Sequence, residues 1–288
     1  MPELPEVETV RKILEPQLAG RTIVRLTLNR PDIIDHPSAE IFSERITGMQ
    51  IAGMGRRGKF LSLKLANQDR LILHLRMTGQ LLVTLPDDPV EKHTHIIFHL
   101  DDGKELRFTD PRRFGRFWLL SNGEEDIYSG IHKLGIEPFD SRLTADWLQR
   151  QIGRRKKSIK ECLLEQKTVA GIGNIYGDEI LFEARICPAR PACSLTGEEW
   201  SRLAAAIPSI LQKGIRANRM TPEEYLAGRG KAYRKEPFFR IYGHEGDPCP
   251  CCRTSLTRIV LSGRSSFYCP ECQKRNPAID GCESSNSG

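Results

Sequence analysis

The chain opens Met1-Pro2-Glu3-Leu4-Pro5-Glu6-Val7-Glu8-Thr9, which puts a ring amine, masked by a single methionine, beside two carboxylates. Pro2 is small enough to permit removal of the initiator Met1, and the mature chain would then begin with a secondary amine. An α-amino group titrates at about 7.7–8.0, far below lysine, so a useful fraction is an unprotonated nucleophile near neutral pH. Glu3 and Glu6, three residues apart, are spaced to lie close to that amine as acid, base or charge partner. An ordinary N-terminal helix with a solvated acidic first turn is the plainer alternative, and residue pattern alone favours it.

A second chemistry stands near the other end. Cys249-x2-Cys252 and Cys269-x2-Cys272 match the two knuckles of a zinc ribbon, in which four thiolates close a tetrahedral structural site without an open position for catalysis. Cys251 is left out because pairing it with Cys249 or Cys252 gives a spacing too short to wrap a metal. A metal-held hairpin too small for its own core must present something, and Arg264 in the turn Leu261-Ser262-Gly263-Arg264-Ser265-Ser266 could grip a phosphate bidentately. It could equally be a solvated turn arginine.

Basic residues gather elsewhere too. Arg154-Arg155-Lys156-Lys157, followed by Lys160, leads towards Gly171-Ile172-Gly173-Asn174-Ile175-Tyr176. There two glycines make a compact turn before a helix, and backbone amides with the Asn174 side chain offer a phosphate seat. Arg56-Arg57-Gly58-Lys59-Phe60 heads a strand, where a glycine-flexed turn could aim a lysine across a groove. His74-Leu75-Arg76-Met77-Thr78-Gly79 and Asp110-Pro111-Arg112-Arg113-Phe114-Gly115 are strand-to-turn segments that could each carry a large apolar side chain and an arginine at a loop tip, with burial in the core as the other outcome. No carboxylate or cysteine completes a metal set around His93, His95 and His99, which read as strand histidines.

The elements that must hold these groups can be outlined. Pro5, Glu6 and Glu8 suit the first turn of a helix whose apolar face is Val7, Val10, Ile13, Leu14 and Leu18, so the terminus is tethered by burial. Strand-like runs follow at 21–29, 60–65, 70–75, 95–100 and 117–120, with turn signals at Gly53-Met54-Gly55, Asp87-Asp88-Pro89 and Asp101-Asp102-Gly103. They predict a β-sandwich over residues 1–135. A linker is expected at 136–150, helices around 147–151, 158–166, 174–184, 196–213 and 222–226 in a domain over 151–237, strand-like runs at 238–242, 258–261 and 267–268 in a finger over 238–273, and a disordered tail at 274–288. The fold class is therefore α+β.

Composition limits the partners. The 288 residues, 39% hydrophobic and 28% charged, can bury a real core, and no apolar run approaches the about 20 residues of a membrane span. No basic-then-apolar leader precedes Pro2, so a cytoplasmic protein without a membrane role is expected. A formal charge of +6 tilts modestly towards an anionic partner.

Five of these motifs, in this order, resemble the formamidopyrimidine-DNA glycosylases, whose Pro-Glu-Leu-Pro-Glu-Val-Glu-Thr opening and Gly-Ile-Gly-Asn-Ile-Tyr turn are specific signatures. The resemblance runs from Pro2 to about Gln273 and implies an N-terminal β-sandwich with a leading helix, a helix–two-turn–helix domain and a zinc finger. By resemblance Pro2 is the nucleophile, Glu3 a general acid at the sugar and Glu6 a support for the amine's proton traffic. Lys59 and Arg264 are implied helpers in strand cleavage. Met77, Arg112 and Phe114 are implied to fill the gap left by an extruded base, with His74, His93, Arg154, Lys160, Asn174 and Tyr176 also at the DNA. The implied activity is excision of oxidised purines from damaged double-stranded DNA by a monomer holding one zinc ion, followed by β,δ-elimination. An endonuclease VIII-like enzyme for oxidised pyrimidines and a silent zinc-ribbon DNA-binding protein are the alternatives. One departure touches substrate choice: where many relatives are rich in glycine and threonine, this chain reads Ala217-Asn218-Arg219-Met220-Thr221 and then Gly228-Arg229-Gly230-Lys231.

Overall fold

The structure, a computed structural model, describes residues 2–231 and 238–275. The helices are α1 (Leu4–Leu18), α2 (Ala39–Ile46), α3 (Ala145–Ile152), α4 (Ile159–Leu164), α5 (Asn174–Glu183), α6 (Gly197–Ala217) and α7 (Pro222–Ala227). Strands β1 (Ile23–Leu28), β2 (Ile34–His36), β3 (Ile51–Arg57), β4 (Phe60–Leu65), β5 (Arg70–His74) and β6 (Gln80–Thr84) come first. They are followed by β7 (Thr94–Leu100), β8 (Glu105–Thr109), β9 (Arg116–Leu120), β10 (Thr257–Leu261) and β11 (Arg264–Tyr268). The chain divides into two compact units, Met1–Lys133 with Ile215–Glu236, and Leu134–Gly214 with Pro237–Gly288.

The first unit holds two sheets, β1-β7-β8-β6 and β2-β9-β5-β4-β3, antiparallel except for the β2–β9 pair. Leu61, Leu63, Leu71 and Leu73 from one sheet and Phe98, Leu106 and Phe108 from the other fall in a single buried cluster, which makes the pair a sandwich. Helix α1 contributes Val7, Val10, Ile13, Leu14 and Leu18 to the same cluster, as its spacing predicts. Each such side chain stabilises by about 1.5–3 kcal/mol relative to exposure. Packing therefore fixes the start of the chain far more firmly than helix propensity could, and tolerates Pro16 within the last turn.

Two readings of this unit change. Gly53-Met54-Gly55 is not a turn but the middle of β3. Gly55 answers to close approach instead, since a Cβ there would come within 2.8 Å of the Ser62 Oγ on the paired strand. Strand β6, invisible to alternation, is buried at all five positions and so shows no period of two. Residues 215–231 also belong to this unit, although nothing in the unbroken periodicity of α6 marks where the chain returns.

In the second unit α3, α4, α5 and most of α6 enclose a core of Leu163, Ile172, Tyr176, Ile180, Trp200, Leu203 and Leu211. Ser158 caps α4 with a reciprocal contact to Glu161, and Thr144 caps α3. The hairpin of β10 and β11 packs on α5. The stretch 238–242 is not a strand: the Glu179 carboxylate accepts the backbone N–H groups of Arg240, Ile241 and Tyr242, each at 3.0 Å, and so replaces a sheet partner.

Candidate functional site

Pro2 is buried, and so are Glu3 at 2% and Glu6 at 5% exposure. These carboxylates are not the solvated first turn of an ordinary helix. Glu3 is the N-cap residue of α1, and its backbone N–H donates to Glu6 Oε2 at 2.8 Å. The other oxygen, Oε1, takes the side-chain amide of Asn218 at 3.2 Å, a residue that carries no motif and was not foreseen.

Lys59 sits with Gly58 in the two-residue turn between β3 and β4, where Gly58 adopts φ 55°. Arg56 anchors this turn to α1: its Nε donates to Glu8 at 3.0 Å and its guanidinium also reaches the Gly58 carbonyl at 3.0 Å. Lys59, 7% exposed, is near enough to His74 for its charge to matter. Burial first, then the Arg76 and Lys59 charges, push the His74 pKa down to about 3. Its Nδ1 accepts the Arg76 N–H at 2.9 Å, so the ring is neutral and offers Nε2–H as a donor rather than a cation for phosphate.

Met77 and Phe114 are 40% and 46% exposed, so neither joins the core. One buried carboxylate, Asp110, fixes both of their loops. It accepts from the backbone of Arg112 at 3.2 Å, of Phe114 at 2.8 Å and of Gly115 at 2.8 Å, and it also takes the Thr78 hydroxyl beside Met77. The Arg112 guanidinium lies 4.6 Å over the Phe114 ring, which couples the two side chains at the tip. Gly115 has no room for a side chain, because its Cβ would stand 2.4 Å from Phe108. His93 is half-buried and accepts the Asp110 N–H through its carbonyl, while His95 reaches the Asp110 carbonyl at 2.7 Å and His99 pairs with Glu105. The side chains of His95 and His99 serve the strands.

The second unit sorts the basic residues differently from the expectation. Arg154 is exposed. Lys160 is 1% exposed and forms an ion pair with Asp178 at 2.7 Å, so it is an internal tie and not a solvated phosphate ligand. A lysine's charge in the sequence carries no sign of a buried partner on the next helix. Burial raises the Asp178 pKa to about 6 against the opposing pull of Lys160. Tyr176 is also withdrawn from the surface: it is fully buried, with its ring centroid 5.7 Å from Phe239 and 6.0 Å from Phe238.

Asn174 begins α5 after Gly173, and its Nδ2 donates to the Ser265 carbonyl at 3.0 Å. Lys160 donates to the same oxygen at 3.1 Å, and Asp178 takes the Ser266 hydroxyl at 2.7 Å and the Phe267 N–H at 2.9 Å. Strand β11 is thereby bolted to α4 and α5. Arg264, exposed beside Ser265, follows the tight turn Ser262-Gly263, whose φ values are 46° and 75°. The Sγ atoms of Cys249, Cys252, Cys269 and Cys272 all lie within 4.8 Å of one another, and four convergent thiols with no other donor match a closed tetrahedral zinc site.

Three family models match the chain in sequence order. Residues 1–117 match the formamidopyrimidine-DNA glycosylase N-terminal domain, 134–226 the formamidopyrimidine-DNA glycosylase H2TH domain, and 246–275 a zinc finger found in FPG and IleRS. The chain belongs to the formamidopyrimidine-DNA glycosylase family. The glycosylase of Desulforamulus reducens is 45% identical over 95% of this chain and 99% of its own length, and that of Bacillus cereus 41% over 96% and 100%. The Lactococcus lactis enzyme, solved in complex with a THF-DNA and an inhibitor, is 34% identical with a TM-score of 0.87, covering 95% of this chain and 100% of its own. With this zinc-finger match over 246–275, the four cysteines Cys249, Cys252, Cys269 and Cys272 hold one structural zinc ion.

Proposed function

We propose that this chain is a DNA-formamidopyrimidine glycosylase with AP lyase activity, which removes oxidised purines such as 8-oxoguanine from double-stranded DNA during base-excision repair. The observation that carries the reading is the match of all three family domains in order, with full-length relatives at 41–45% identity. It acts as a monomer in the cytoplasm. Among the described residues no helix is long and apolar enough to cross a membrane.

In this reading Met1 is removed and the Pro2 nitrogen attacks C1′ of an extruded nucleotide. The C1′–N bond to Pro2 forms as the glycosidic bond breaks and its electron pair leaves with the base; the proline nitrogen then gives up its proton, Glu3 protonates O4′, and the C1′–O4′ bond breaks as the nitrogen lone pair closes the C=N bond of a Schiff base. The resulting Schiff base loses its 3′ and then its 5′ phosphate by elimination, with Lys59 and Arg264 assisting. Glu6 supports the amine's proton transfers. Met77, Arg112 and Phe114 fill the vacated stack, a role supported by their exposure on loops that Asp110 holds rigid. Arg154, Asn174 and Arg264 supply phosphate contacts from the second unit, and His74 and His93 meet the DNA from the first. The different residues at 217–231 bear on which lesion is preferred.

Borohydride reduction tests the reading on duplexes carrying 8-oxoguanine, an oxidised pyrimidine or no lesion. Covalent trapping on 8-oxoguanine that disappears in Pro2→Gly and falls in Glu3→Gln supports it. Trapping on the pyrimidine lesion alone would select the endonuclease VIII-like alternative, and none on any duplex would leave a binding protein.

A further inference from the structure

Asn218 is fully buried at the point where the chain leaves α6, and it joins the segment 217–231 to the Glu6 carboxylate. Its Nδ2 donates to Glu6 Oε1 at 3.2 Å, while the second Glu6 oxygen is held by the Glu3 N–H at 2.8 Å. With a donor on each oxygen, the Glu6 carboxylate is held from two directions, once by its own helix and once by a residue more than two hundred positions away. The amide's other end is as informative. Asn218 Oδ1 is buried and meets no hydrogen-bond donor among the described residues, an uncommon state for an interior acceptor.

We infer that Asn218 is a positioning residue for the excision chemistry, orienting Glu6 and making that orientation depend on how the loop at 217–231 is seated. The inference rests on the role given to Glu6 above. It also gives the departure of this loop from its glycine- and threonine-rich counterparts a consequence at the reacting centre, beyond any contact with the base. The loop is well placed to transmit this: Tyr225, on α7, is buried in the core of the same unit and its hydroxyl reaches the Leu81 carbonyl at 3.3 Å.

The test measures single-turnover release of 8-oxoguanine, rate of borohydride trapping and equilibrium affinity for a duplex carrying an uncleavable abasic analogue. Asn218→Ala and Asn218→Leu are compared, the second being nearly isosteric and able to fill the buried site if the first fails to fold. Losing a hydrogen bond to a charged group predicts a chemical step slowed roughly ten- to a hundredfold, with affinity unchanged within about threefold. Combined with Glu6→Gln, either substitution should add little further loss, because both then remove the same oriented carboxylate. Unaltered rates, a loss confined to affinity, or full additivity with Glu6→Gln overturns the inference. If Glu6→Gln is itself without effect, the role of Glu6 and the inference fall together; if Glu6→Gln is slow and the Asn218 variants are not, the inference alone falls.

Discussion

Asp110 Oδ2 accepts the backbone N–H of Phe114 at 2.8 Å, and this contact decides where an exposed aromatic ring points. The same carboxylate serves Arg112, Gly115 and Thr78, so one buried side chain sets the shape of two loops.

Asp110→Ala leaves several donors without an acceptor. It should cost about 2–4 kcal/mol in urea denaturation, since each buried group left unpaired costs roughly 1–3 kcal/mol and part of the loop can turn to water. Release of 8-oxoguanine should slow, while trapping on DNA with a preformed abasic site, which needs no base extruded, should be largely kept. Equal loss on both substrates would remove the loops from base extrusion.

His74 gives a dependence on acid. Its folded pKa, about 3, lies below its usual value of 6.5, so folding favours the neutral ring. That contribution is complete above pH 6.5 and is lost as the pH falls towards 3. The histidine is largely buried, and the term is on the order of 3–5 kcal/mol. His74→Gln should flatten the stability curve across that window, as read by thermal melting at successive pH values. An unchanged acid slope would show that the ring is protonated without strain.

The Lys160–Asp178 pair should prove strongly one-sided. Lys160→Met strands a buried carboxylate and should destabilise by about 3–5 kcal/mol, whereas Lys160→Met with Asp178→Asn should recover much of the loss. Recovery will be incomplete because Asp178 also holds Ser266 and Phe267. Chemical denaturation of the two variants at neutral pH reads the difference, and equal stabilities would contradict the pairing.

Removing zinc should cost more than the finger. Chelation unfolds the hairpin that carries the Ser265 carbonyl, and with it the anchor of Asn174 and Lys160. DNA affinity and the melting temperature should drop together, with both restored by added zinc. Full affinity in zinc-free protein would separate the finger from the binding surface.

Much of this was legible because it depends on local spacing. The apolar period of α1, the two cysteine knuckles and the glycine turn before Asn174 each specify their geometry within a few residues. What escaped depends on partners distant in sequence. Lys160 and Tyr176 read as surface groups until Asp178 and the rings of Phe238 and Phe239 enclose them. Gly55 signals a turn unless the approach of Ser62 is known, and Asn218 has no significance until Glu6 lies beside it. Asp110 looked like a residue that starts a turn, and only the bonds it accepts reveal that it governs one.

The interrupted first unit has a meaning for biosynthesis. Residues 1–133 leave the ribosome well before Ile215 and the segment that follows it, yet Tyr225 belongs to their core. Until that segment emerges, the nascent sandwich has a missing piece and Glu6 lacks its contact with Asn218, so the N-terminal end of the chain is finished late although it is made first. The carboxylate next to the start of the chain is thus held on its second side only after residue 218 has been made.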